Sequence, residues 1–157
     1  MGKFKELRVW QDGVDLAEEI YEITGIEPFS KDYGLCNQIQ RAAVSISSNI
    51  AEGDGRGTDR ESVYFFNIAK GSTEEVITQL HIAHRIGYID VANLEELENK
   101  AEKIRASLKN LIRARISLNP NQSNLVEEAL TIYEPSGVNH EPSSLGRLPS
   151  TVNHSKP

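Results

Sequence analysis

From Leu94 to Leu111 the residues Leu94, Leu97, Ala101, Ile104, Leu108 and Leu111 recur in strict alternation of three and four. That spacing lays them along one stripe of an α-helix, and no strand can do the same. A period near 3.5 also favours a nearly aligned partner helix, as in bundles. Glu95, Glu96 and Glu98 fall early in this helix and Arg105, Lys109, Arg113 and Arg115 late. The order matches the helix dipole, which favours acids at the start and cations at the end. Asp90, after Gly87-Tyr88-Ile89, is the predicted N-cap.

Three further helices precede it. The first is predicted over Lys5 to Ile23 and carries two apolar stripes. Leu7, Trp10, Val14, Ala17 and Tyr21 form one, expected to face the subunit core. Val9, Leu16, Ile20 and Ile23 form the other, expected to meet a second copy of the chain, because a helix at the edge of one bundle needs a single stripe. Helix two is predicted to start after Ser30 as N-cap and to run to Glu52. Leu35, Ile39, Ala42, Ala43, Ile46 and Ile50 face inward, and Ala43, Ser47 and Ala51 allow close approach. Gly53-Asp54-Gly55-Arg56-Gly57 then makes a turn. Helix three opens on Thr58-Asp59-Arg60-Glu61, a capping-box pattern, and runs to Ile86 through Phe65, Ile68, Ser72, Val76, Leu80 and Ala83. Gly71 lies in its interior, where glycine costs about 1 kcal/mol against alanine. A close contact with Gln40 to Ala43 is the expected reason.

After Leu118 the composition turns to Asn, Ser, Pro and Gly. Leu125 to Tyr133 is expected to form one short amphipathic helix that docks on the bundle; the rest is predicted to be disordered. The expected architecture is therefore all-α: an antiparallel up-down four-helix bundle over residues 1–118 and a mostly disordered Pro/Ser/Asn-rich tail over 119–157.

The chain has 157 residues and a net charge of −6, with Cys36 its single cysteine. No intrachain disulfide is possible, and the acidic balance opposes broad phosphate binding. MGKFKELRVW lacks the apolar run of a signal peptide, and no segment approaches a membrane span. A cytoplasmic protein is expected. Cys36 lies near a helix start, where the dipole lowers a thiol pKa, but no pattern supplies a base, so a structural thiol is expected. His81 and His84 share a helix face without further metal ligands. Asn49 and Glu52 are polar positions among inward-facing ones, expected to tie helix two to the Arg56 turn. No Ser-His-Asp order, paired catalytic carboxylates or nucleotide fingerprint stands out, and no catalytic residue, cofactor or metal is predicted.

Phe4-Lys5-Glu6-Leu7, Val9-Trp10-Gln11, Tyr33-Gly34-Leu35, Arg41-Ala42-Ala43, Asn49-Ile50-Ala51-Glu52-Gly53, Ile68-Ala69-Lys70-Gly71-Ser72 and Gly87-Tyr88 follow one another in the chain. In this order they resemble the four-helix-bundle proteins encoded in intervening sequences of 23S ribosomal RNA genes. That family is similar to the accessory variability protein of diversity-generating retroelements. The resemblance covers about Phe4 to Arg115 and makes Asn49, Glu52, Gly53, Gly71 and Ser72 its structural motif. It implies a ring-shaped homopentamer, and in the retroelement relatives a basic surface that binds nucleic acid and a reverse transcriptase. The chain departs from the pattern at Gln40-Arg41, where two basic residues are usual. A non-enzymatic homo-oligomeric scaffold or adaptor is the expected function. The alternative is a nucleic-acid-binding accessory factor, contacting RNA or DNA weakly through Arg41, Arg56, Arg60, Arg105, Lys109 and Arg113. An unrecognised enzyme is the third.

Overall fold

The computed structural model describes residues 3–117, and the tail expected beyond Leu118 lies outside them. Four helices account for the fold: α1 (Arg8–Thr24), α2 (Tyr33–Gly55), α3 (Asp59–Ile86) and α4 (Val91–Ser117). Among the described residues there is no strand. Cross-helix pairs define an up-down path. Ser45 of α2 meets Ser72 of α3, His81 of α3 meets Glu98 of α4, and Lys100 of α4 meets Glu19 of α1. Each helix therefore has two neighbours, with α1 also packed on α2.

α2, α3 and α4 each begin where a side chain accepts from a free N–H group of the first turn, while α1 starts after Leu7 without a side-chain cap. The cap of α2 is Asp32 and not Ser30: its carboxylate accepts from the Leu35 N–H at 3.0 Å. A short 3-10 turn, Phe29–Lys31, intervenes because Phe29 is drawn into the core. Thr58 caps α3 by accepting from the Glu61 N–H at 3.3 Å, and its hydroxyl donates to the Glu61 carboxylate at 2.8 Å. The expected box is thus closed between two side chains. Asp90 caps α4 by accepting from the Asn93 N–H at 2.8 Å. Gly87 ends α3 at φ 92°, a left-handed conformation that glycine adopts without strain.

The core runs the length of the bundle through Leu16, Ile20, Phe29, Ile39, Ile46, Ile50, Phe66, Val76, Leu80, Ile104 and Leu108, all essentially inaccessible. The α4 stripe is inward as its spacing predicts, except that Ile112 is buried where Leu111 is only half-buried. On α3 the buried positions Val63, Phe66, Ala69 and Thr73 replace the expected Phe65 and Ile68 in the first turns. Phe65 lies instead beneath the Arg56 guanidinium, 4.5 Å from the ring centroid.

Two expectations about packing are corrected. On α1 the faces are reversed: Val9, Leu16 and Ile20 lie in the subunit core, while Val14 and Tyr21 are exposed. Gly13 gives the reason. It shares the inner stripe, and a Cβ there would lie 3.3 Å from Ile46 Cγ2 and 3.6 Å from Ser47 Cβ. The glycine lets α1 settle onto α2 along the Val9–Leu16–Ile20 face. Gly71 is the second correction. A Cβ there would meet nothing within 4 Å, so it marks no close contact. The tight glycine of the α2–α3 hairpin is Gly53, and α2 stays helical through Gly55 before turning at Arg56.

Candidate functional site

A groove of about 450 Å³ runs along the outer seam of α3 and α4. Asn67, Lys70 and Glu74 line it from α3, at steps of three and four that keep them on one edge. Arg105, Lys109 and Arg113 line it from α4, with Glu102, Ala106, Ile112 and Ile116. Ile112 is buried and Ile116 half-buried, which makes an apolar strip between charged rims. Arg105 is already engaged: its Nε and Nη2 donate to Glu102 Oε2 at 3.0 and 2.7 Å. Lys70, Lys109 and Arg113 have no ion-pair partner among the described residues.

The structure thus brings together three of the six sequence-predicted contact residues, Arg105, Lys109 and Arg113, and separates them from the rest. Arg41 is exposed on α2, and Arg60 is exposed at the start of α3. Arg56 is held at the hairpin turn by Glu52 and the Phe65 ring. None of these three lines the groove. Lys70 is the groove residue that sequence reasoning missed. Its signal was available in the antiparallel pairing, since the steps from Asn67 to Glu74 run beside the basic stripe of α4.

Arg115 does a different job. Its guanidinium reaches Asp54 at 3.4 Å and Asp59 at 3.6 Å and sits 6.0 Å from the Phe66 ring centroid. The end of α4 is thereby pinned to the α2–α3 hairpin.

The polar positions of α2 form a directed chain of hydrogen bonds. Asn49 Nδ2 donates to the Ser45 carbonyl at 2.8 Å and to Ser45 Oγ at 3.0 Å. Ser72 Oγ donates to the Ile68 carbonyl at 3.0 Å, so across the 2.9 Å contact Ser45 must be the donor to Ser72. The network therefore ties α2 to the middle of α3, and only Glu52 reaches the Arg56 turn.

At the opposite end of the bundle, Tyr88 stacks on Phe29 at 5.1 Å and donates to Asp32 Oδ2 at 3.2 Å. Cys36 is buried there with its Sγ 3.1 Å from the Phe29 carbonyl. Burial, and then the charge of Asp32, push its thiol pKa up. A helix start can lower a thiol pKa, but here loss of hydration and the Asp32 carboxylate act the other way. His81 pairs with Glu98 at 3.0 Å, and His84 Nδ1 lies 3.1 Å from the Ile89 carbonyl. Among the described residues no three His, Cys, Asp or Glu side chains are placed to share a metal ion. Nor is any described helix long and apolar enough to cross a membrane.

The model of a family described as 23S rRNA-intervening sequence protein matches residues 5–110. A crystal structure from Bacteroides thetaiotaomicron VPI-5482, of a protein with unknown function from the S23 ribosomal protein family, superposes with a TM-score of 0.62 at 25% identity. The match covers 66% of this chain and 97% of that one. No curated protein matches.

Proposed function

The chain belongs to the 23S rRNA-intervening sequence protein family, and we propose that it acts as a non-enzymatic, homo-oligomeric scaffold whose association face is the outer stripe of α1. One observation carries this reading. Trp10, Val14, Ala17 and Tyr21 share a single helical stripe, yet the subunit leaves Val14 36% and Tyr21 51% exposed. Trp10 and Ala17 lie half-buried beside them. An apolar aromatic stripe at the surface favours a partner. A second copy satisfies it, and the family resemblance makes the closed ring a pentamer. A ring needs two different complementary surfaces per subunit, so spoiling one prevents closure. Replacing Val14 and Tyr21 by glutamate, outside the core, should release smaller species with unchanged helix content. An unchanged oligomer in that variant would move the association face elsewhere.

The α3–α4 groove favours a second reading, a nucleic-acid-binding accessory factor of the kind that works with a reverse transcriptase. Lys70, Lys109 and Arg113 offer three cations without partners among the described residues. Glu74 and Glu102 in the same groove, and the net charge of −6, keep such binding weak and salt-sensitive.

A further inference from the structure

We infer that the α3–α4 groove is a docking site for a segment of this same chain, Leu125–Glu134, which covers it and competes with any other occupant. The inference does not rest on the scaffold reading, and it competes with the nucleic-acid reading of the same groove.

The groove sets the requirements. Its apolar strip, Ile112 with Ile116, runs between rims carrying Lys70, Lys109 and Arg113. A good occupant therefore presents an apolar face with acids beside it. A phosphate backbone supplies the charge but leaves the strip wet. An amphipathic acidic helix satisfies both parts.

The sequence beyond Ser117 contains one such segment. Leu125, Val126, Ala129, Leu130 and Tyr133 fall on one helical face, and Glu127, Glu128 and Glu134 fall beside it. Asn124 followed three residues later by Glu127 is a capping pattern, and Pro135 is a stop signal. No lysine or arginine lies between Leu118 and Glu134. The segment's charge is thus wholly complementary to the unpaired cations.

Reach and direction also fit. Along α4, the groove extends about 21 Å, from Glu102 to Ile116 at roughly 1.5 Å per residue. The linker from Ser117 to Leu125 spans at most about 26 Å, at roughly 3.3 Å per residue. Asn119-Pro120 interrupts the helix pattern where the chain must reverse. A helix from Leu125 to Glu134, about 15 Å long, then returns along the seam. A tether this short gives an effective concentration of order mM, which a free polyanion seldom matches.

Hydrogen–deuterium exchange on the full chain tests this. Amides of Leu130 to Glu134 should exchange at least about tenfold more slowly than those of residues 136–157, equally at low and high protein concentration. Lys109→Glu with Arg113→Glu, both exposed, should abolish the protection. Adding Glu127→Lys and Glu128→Lys to that background should restore it. Exchange as fast as the rest of the tail would overturn the inference, as would protection that survives the first charge reversal. Protection lost on dilution would assign the groove to a second copy. Structured RNA that protects Lys109 and Arg113 without releasing the segment would assign it to nucleic acid.

Discussion

Phe66 occupies the space that a side chain at position 53 would need. A Cβ on Gly53 would lie 2.6 Å from Cε1 and 2.8 Å from Cδ1 of that ring, and 3.1 Å from the Ser62 carbonyl. The ring is fully buried, and backbone cannot retreat as a side chain can. Gly53→Ala should therefore destabilise the fold by about 1–3 kcal/mol through overpacking. Gly71→Ala should do the opposite. With nothing within 4 Å of its Cβ, it gains about 0.5–1 kcal/mol from the lower entropy cost of a helical alanine. Urea denaturation of the two variants compares them directly; equal midpoints would show that the Gly53–Phe66 contact carries no strain.

Ile104 is fully buried at the middle of α4. Truncation removes its transfer free energy and leaves a cavity in the core. Ile104→Ala should cost about 2–5 kcal/mol. A thermal melt indistinguishable from that of the parent would show the stripe to be misplaced.

Alkaline pH should weaken the fold. Burial raises the pKa of Cys36 above its ordinary 9.0 and of Tyr88 above 10.0, in each case with help from Asp32. Hydrogen bonds to Glu19 and Glu96 raise that of Lys100 above 10.5. In all three the folded state holds the proton more tightly than the unfolded chain. The linked stability is fully present below the ordinary value of each group and is lost as pH rises through its raised value. Urea midpoints should thus fall as pH is taken above 9.0, the ordinary thiol value, and Cys36→Ala should flatten the first part of that fall. A midpoint that rises with alkalinity would contradict these assignments.

Any RNA bound by the groove should be held by charge. Lys109→Gln should weaken binding for every sequence alike and reduce the salt slope by about 1. Arg41→Gln should leave the slope unchanged, because Arg41 does not line the groove. Fluorescence anisotropy against salt concentration separates the two, and an equal loss in both variants would move the contact surface toward α2.

Much of this fold was legible because periodicity reports burial directly. The α4 alternation placed Leu97, Ile104 and Leu108 in the core, and Thr58 and Asp90 marked helix starts, since capping depends on local side-chain chemistry. Which of two adjacent stripes on α1 turns inward was not legible from hydrophobicity. Trp10 and Tyr21 add as much apolar area as Leu16 and Ile20. The deciding residue is Gly13, whose missing Cβ admits α2. The groove was half-legible. Arg105, Lys109 and Arg113 announce themselves at intervals of four, but Lys70 joins them only through the pairing of α3 with α4. Arg56 offers itself in the sequence both as a contact residue and as the turn to which Glu52 ties helix two; the structure pairs it with Glu52 and sets Phe65 against it.

In the proposed scaffold, α1 presents its Trp10–Val14–Ala17–Tyr21 stripe to a second copy of the chain. Light scattering on the unmodified full chain at micromolar concentration tests it most directly. The expected result is one closed oligomer, a pentamer, with Val14→Glu plus Tyr21→Glu yielding smaller species of the same helix content. A clean monomer for the unmodified chain would contradict it.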